Sequence, residues 1–308
     1  MSNSSFTRVA QLWKADKRQW VKTSTYCTYV NQLNKHILPY FGGGVTPTEE
    51  SVQEFTRHLL DKGLGASSIR DIMLVLKMVM RHGAKLGVWP LVDIRLRLPV
   101  SARGAGEMPV LSHSDQKRLL THVQEHFSFR NLGILIALHS GLRIGEVCAL
   151  QWKDLDIESG VIRVVKTISR IYMNDGQEHI YSLQLTAPKT ASSVREVPMS
   201  RAVLRFVRPL SKIMAPDFFV ISNGPEPLEP RYYRGYFHKL LRSLDIRDTR
   251  FHALRHSFAT RCIESKCDYK TVSVILGHSS ISTTMDLYVH PGLADKRRCI
   301  NRITNSLE

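Results

Sequence analysis

The chain has 308 residues, room for two domains, and 43% of them are hydrophobic, enough for real cores. Lys and Arg total 43 against 27 Asp and Glu, a formal charge of +16, and a chain this basic usually meets a polyanion. Composition argues against a disulfide scaffold, a membrane span and a disordered polyelectrolyte: the five cysteines are irregularly spaced, no apolar run reaches bilayer length, and the charged fraction is 23%.

The basic residues are spread over the whole chain, which fits nucleic acid better than a membrane surface. Residues 1–20 hold no apolar signal core, so the chain is expected in a reducing cytoplasm with its thiols free.

Residues 1–100 read as helices. Residues 5–21 carry Phe6, Val9, Leu12, Trp13 and Trp20 on one broad face. Residues 26–40 form a second helix, marked by Val30, Leu33, Ile37 and Leu38 and ended by Gly42, Gly43 and Gly44. Thr48 starts a third, with Val52, Phe55 and Leu59 facing inward. Ser67 starts a fourth, through Ile69, Ile72, Leu74, Leu76, Val79 and Met80. Short loops favour antiparallel neighbours, hence a small four-helix domain. Lys14, Lys17, Arg18, Arg70, Lys77 and Arg81 dot the outer faces. They are open to two readings, a solvated face or a DNA-facing surface.

Prolines 90, 99 and 109 and the run Arg103-Gly104-Ala105-Gly106 interrupt helix and mark a linker at 101–110. Beyond it, Ser112 and Asp115 form a capping-box-like start to a helix reaching about residue 126. Residues 131–139 are a buried apolar helix and 144–150 a short one. Strands are expected at 160–169, 180–185 and 193–199, with residues 186–191 as a turn-like tip. Helices follow at 201–214 and 230–244, with an extended piece at 218–222. Three or four short helices are expected over 251–290. The class is mainly α with a small antiparallel β-sheet (α+β).

Taken singly, the polar residues of this second region say little. Arg143 follows a glycine turn and could simply pair with Glu146 at helical spacing. His252 and Arg255 share a helix face. His256, Cys262 and Cys267 do not fall at familiar zinc-ligand spacings, so no metal is expected. Tyr288 alone reads as core. The joint order Arg143, Lys189, His252, Arg255, His278, Tyr288 is more specific, because each local context is also right.

In these stretches the chain resembles the tyrosine recombinases, the phage-integrase and Xer group. The likeness lies in SGLRIGEVCALQW at 140–152, TAPKTASSVREVP at 186–198, FHALRHSFAT at 251–260 and residues 275–290. It covers about 110–290; for the first 100 residues it is one of pattern. The resemblance implies a helical core-DNA-binding, SAM-like domain at 1–100 and a catalytic domain with a C-terminal tail at 111–308. It implies that Arg143 and Arg255 are the active-site arginines and that Glu146 steadies Arg143. Lys189 matches the lysine of a mobile hairpin, His252 and His278 the two histidine positions, and Tyr288 the nucleophile. The interval from His278 to Tyr288 is one residue longer than in Xer proteins.

The chemistry suits these residue types. A phenol can attack a phosphodiester to give a 3′-phosphotyrosine. It must lose its proton, and His252 is the expected helper. Two guanidinium forks match the non-bridging oxygens and stay charged. An ammonium can protonate the departing 5′-oxygen. The covalent bond keeps the phosphodiester's energy, so no nucleotide and no cofactor are needed, and no phosphate-binding loop is found. The resemblance further implies double-stranded recombination sites, a homotetramer acting through a Holliday junction, and accessory DNA-bending or directionality proteins. It implies integration, excision or transposition of a mobile element. The chain begins directly with the core-binding pattern, which favours a reaction without an arm-binding domain. The competing readings are a non-catalytic DNA-binding relative and a type IB topoisomerase.

Overall fold

The computed structural model describes residues 5–91, 110–174, 179–187 and 191–288, together with 297 and 301. The chain divides into two compact units, 1–106 with 170–182, and 107–169 with 183–308. The expected linker at 101–110 lies outside the described residues except Val110. That 170–182 groups with the first unit is not suggested by the sequence.

In the first unit, α1 is Ser5–Trp20, α2 is Thr23–Gln32, α3 is Leu38–Phe41, α4 is Glu49–Asp61 and α5 is Ala66–Lys85. Phe6, Val9 and Trp13 of α1 meet Leu33, Ile37, Phe41, Phe55, Ile69, Ile72 and Leu76 in one core. The Phe6 ring stacks on Phe41 at 5.2 Å and on Trp89 at 5.8 Å. Helix α4 starts where its sequence says it should. The Thr48 hydroxyl accepts from the Ser51 N–H at 3.2 Å, and the Ser51 hydroxyl accepts from the Thr48 N–H at 2.9 Å. Glu49 and Glu50 then complement the helix dipole.

Leu12, expected on the apolar face of α1, is 47% exposed, and three further expectations change here. The helix over 26–40 is not continuous: a π-helical turn, Leu33–Ile37, separates α2 from α3. Pro39 follows directly and cannot donate to the helix ladder, and a widened turn is one way to take up the break. Trp20, expected on the apolar face, is 74% exposed; it is the last residue of α1, and its indole N–H turns to Asp16 on the helix surface. Leu74 is 53% exposed because it falls opposite the stripe set by Ile69, Ile72 and Leu76.

In the second unit, α6 is His113–Glu125, α7 is Phe129–Ser140 and α8 is Ile144–Ala149. The Ser112 hydroxyl caps α6, accepting from the Asp115 N–H at 3.0 Å. Helix α7 is apolar on every side and correspondingly central. It packs against α6, α8 and two later helices, α9 (Arg201–Leu210) and α11 (His252–Glu264). The strands are β1 (Leu155–Asp156), β2 (Val161–Val164) and β5 (Arg195–Pro198), with β3 (Thr167–Asn174) and β4 (His179–Thr186) running partly into the stretch grouped with the first unit. They form an antiparallel sheet in the order β1-β2-β5 and a separate β3-β4 pair. Helices α10 (Pro230–Ser243), α12 (Tyr269–Leu276) and α13 (Ile281–Tyr288) complete the unit.

The single strand expected over 160–169 is two strands in two sheets. Lys166, at the break, ion-pairs with Asp154 at 3.4 Å instead of continuing the ladder. The turn-like tip expected at 186–191 falls in part on residues outside the described ones; β4 and β5, on either side of it, belong to different sheets. Over 218–222 the chain makes isolated bridges from Phe219 to Gln151 and Gly224.

Candidate active site

Two helix ends and two helix faces build the site. Helix α7 stops at Gly141 and α12 at Gly277, both in the left-handed conformation at φ 64° and 66°. Gly141 leads into Arg143 and Gly277 into His278. The contacts cross over. Arg255 Nη1 donates to the Gly141 carbonyl at 2.9 Å, and Arg143 Nη2 donates to the Gly277 carbonyl at 3.3 Å. Each arginine is thus braced by the segment that carries another site residue.

Glu146 anchors the arginine side. It is 3% exposed, and its carboxylate accepts from the Arg143 backbone N–H and from Arg143 Nη1, both at 2.8 Å. It also accepts two bonds from Arg195, from Nη1 and Nη2, each at 3.0 Å. Arg195 also donates to the Ile275 carbonyl at 2.6 Å and the Ser193 carbonyl at 3.1 Å. Burial alone would raise the Glu146 pKa. The hydrogen bond and charge of Arg195, then the N–H and charge of Arg143, outweigh it and hold the carboxyl below its ordinary range.

Helix α11 contributes three residues within five positions: His252, Arg255 and His256. Arg255 is 2% exposed. Burial, with Arg143 nearby, pushes its pKa down to about 9, still high enough to keep the fork charged at neutral pH. His252 is open to solvent at the helix start. Desolvation is the largest cause lowering its pKa to about 4, followed by His256, Arg255 and Arg143. All of these causes favour neutral imidazole. His278 is likewise pushed down to about 4, by burial and then by Arg255 and Arg143. Its Nδ1 pairs with the Thr284 hydroxyl at 2.8 Å, and Thr284 is fully buried.

Tyr288 ends α13 and is 9% exposed. Its hydroxyl lies 2.6 Å from Nδ1 of His256. Burial raises its pKa, while Arg255 and Arg143 work against that rise. His252, His278 and Tyr288 therefore each lie within the fields of Arg143 and Arg255, and Glu146 acts on Arg255 and His252. Lys189 lies outside the described residues. The expected pairing of His252 with the phenol is not the contact seen; His256, one turn along the same helix, takes that place.

Two residues were missed from the sequence. Arg195 alternates inward with Val197 on β5, so a cation on a buried strand face was the available signal. His256 stands four residues after His252, on the same helix face. Of the basic residues singled out on the first unit, Arg18, Arg70 and Arg81 are exposed and Lys14, Lys17 and Lys77 half-buried. Among the described residues, no three His, Cys, Asp or Glu side chains are placed to hold a metal ion, and no helix is long and apolar enough to cross a membrane.

Comparison with known proteins gives the family of the chain. Residues 109–294 match the phage integrase family, and residues 5–43 match the N-terminal SAM-like domain of phage integrases. The ICEBs1 integrase of Bacillus subtilis (strain 168) is 27% identical over 282 residues, which is 85% of this chain and 73% of that protein. A tyrosine recombinase XerC of Xanthomonas axonopodis pv. citri (strain 306) is 29% identical over 199 residues, 63% of this chain and 57% of that protein. The Tn1549 transposon integrase, solved in complex with circular intermediate DNA, superposes with a TM-score of 0.74 at 26% identity, over 96% of this chain and 99% of that one. With the match spanning most of the second unit and the site within it, the chain belongs to the phage integrase family of site-specific tyrosine recombinases.

Proposed function

We propose that this recombinase cuts and rejoins double-stranded DNA at the ends of a mobile element, through a covalent bond between Tyr288 and a 3′-phosphate. The observation that carries the reading is the convergence of Tyr288 with two braced guanidiniums and two neutral imidazoles. Arg143 and Arg255 clamp the non-bridging oxygens of the scissile phosphate. His252 and His278, uncharged, add hydrogen bonds to the same group. The Tyr288 oxygen attacks phosphorus, the bond to the 5′-oxygen breaks, and Lys189 protonates that oxygen as it leaves. A 5′-hydroxyl from a second duplex then reverses the step.

The DNA-bound integrase to which the chain is similar supports a duplex partner. The exposed Arg18, Arg70 and Arg81, with Lys14, Lys17 and Lys77 beside them, form the surface that grips the phosphate backbone. Four protomers acting on two duplexes, with accessory DNA-bending or directionality proteins, complete the reaction in the cytoplasm. Residues 1–100 are the core-binding domain and 111–308 the catalytic one.

The test is a duplex nicked just beyond the scissile phosphate, so that the freed fragment diffuses away. Wild type and Tyr288→Phe are compared in EDTA on a denaturing gel. A protein-linked DNA band in wild type alone is the expected result. A band in both removes Tyr288 from its role. Tight binding with no band in either supports a DNA binder on this scaffold. Rapid relaxation of supercoiled DNA by monomer, without strand exchange, would move the chain to the topoisomerases.

A further inference from the structure

His256 has no part in the scheme above, yet it is the residue on the reacting atom. Its Nδ1 is 2.6 Å from the Tyr288 hydroxyl, and among the described hydrogen bonds that is its one partner. The ring is 9% exposed. It meets the His252 ring edge to face at 4.5 Å and the Tyr288 ring at 5.7 Å. Arg255 precedes it on α11, so the group beside the phenol and the clamp on the phosphate are fixed by one helical turn. A histidine serving only to fill the core needs no such neighbours.

We propose that His256 Nδ1 takes the phenol proton of Tyr288 during strand cleavage and returns it during rejoining. The inference deepens the recombinase reading and rests on it. With the imidazole proton on Nε2, Nδ1 offers a lone pair to the hydroxyl. As the Tyr288 oxygen bonds to phosphorus, its proton passes to Nδ1 and the ring becomes imidazolium. The bond from phosphorus to the 5′-oxygen breaks, and that oxygen receives its proton separately, from Lys189. In rejoining, a 5′-hydroxyl attacks phosphorus and gives its proton back to Lys189, the bond to Tyr288 breaks, and the departing phenolate recovers the proton from His256. Protons and electron pairs balance in both directions, and no other reactant is needed.

The surroundings suit this task. Burial and then Arg255 hold the imidazole neutral, so its lone pair is available before DNA arrives. Burial also keeps the phenol protonated until the phosphate is in place. Transfer in the resting chain is therefore unfavourable, and no free phenolate accumulates.

The experiment compares wild type, His256→Ala, His256→Asn and Lys189→Ala. The probe is a nicked duplex selected, from a pool with a randomised core, for covalent capture by the wild-type chain. Each variant meets two forms of it, one with the ordinary phosphate and one with sulfur in place of the bridging 5′-oxygen. A thiolate leaves without being protonated, so sulfur restores a variant lacking the acid but not one lacking the base. We expect His256→Ala to form the adduct about a hundredfold more slowly, or worse, on both forms. Lys189→Ala should recover on sulfur. His256→Asn keeps an acceptor near the Nδ1 position but is not basic, so it should fold, bind the probe and stay slow. It also carries the comparison if the alanine variant does not fold.

A wild-type rate in either His256 variant overturns the proposal, and so does rescue of His256→Ala by sulfur. Failure of wild type to capture any duplex overturns the recombinase reading itself, which is a separate result.

Discussion

The two sides of the active site are held very differently. The arginine side is overdetermined: Glu146 receives bonds from two arginines and a backbone N–H, and Arg195 is further fixed by two carbonyls. The tyrosine side rests on little. Tyr288 ends an eight-residue helix and belongs to a small cluster with Ala259, Val272 and Leu276. On the same short helix Ile281, Met285 and Leu287 are exposed. Segments with few buried contacts open at low cost, whereas densely bonded ones open only with the whole fold. The arginine cluster is therefore firmly fixed, and Tyr288 is carried on a segment that opens at lower cost.

The largest expected effect breaks the tyrosine side alone. Tyr288→Phe should abolish the covalent adduct while leaving DNA affinity in a filter-binding or gel-shift assay close to wild type. Next comes the clamp. Arg143→Ala or Arg255→Ala should slow adduct formation by roughly a hundred- to a thousandfold, as for loss of an oxyanion donor. Near-normal single-turnover rates would take that arginine out of the site.

Glu146→Ala separates the sides through stability. It leaves Arg195 charged, buried and unpaired, which costs about 3–5 kcal/mol. Thermal denaturation should show that loss, whereas Tyr288→Phe, which removes one buried hydrogen bond to His256, should cost less, about 1–3 kcal/mol. Acid offers a milder separation. The pKa of His252 and that of His278 are both depressed from 6.5 to about 4, so an unfolded chain takes up protons there before the folded one does. Stability should fall as pH drops from 6.5 towards 4, through the histidines. The Glu146 contribution is present above 4.5 and is lost at lower pH, as the carboxyl passes its depressed folded value. A melting temperature independent of pH between 6.5 and 4 would contradict the neutral imidazoles.

The smallest effect is expected at Thr284→Ala. It removes the hydroxyl that pairs with His278 Nδ1, a bond worth about 1 kcal/mol, and should slow cleavage only by a factor of that order.

How much of this was legible beforehand varies with the physics involved. Local signals held: the Thr48 and Ser112 caps and the all-apolar α7 are properties of a few adjacent residues. Motif context singled out Arg143, Lys189, His252, Arg255, His278 and Tyr288, of which all but Lys189 fall on described residues. What failed depended on distant partners. The break at Lys166 reflects Asp154, and the strand pairing that puts β4 and β5 in different sheets is non-local. Arg195 looked like one more basic residue because Glu146, its partner, lies 49 positions away. His256 was weighed only as a metal ligand, and nothing local ties it to a tyrosine 32 residues on.

The crossed bracing by Gly141 and Gly277 has a consequence for how this gene tolerates change. At Gly141 an added Cβ would come within 2.7 Å of both Leu276 and Phe258, and at Gly277 within 3.0 Å of the Arg195 side chain and the Ser192 carbonyl. Both backbones also sit at positive φ, where any other residue is strained. In a saturation scan scored by recombination, these two codons should be depleted almost as deeply as Tyr288, although neither supplies a reactive group. Selection for new target sequences should accordingly leave both glycines untouched, whatever base-reading side chains it changes.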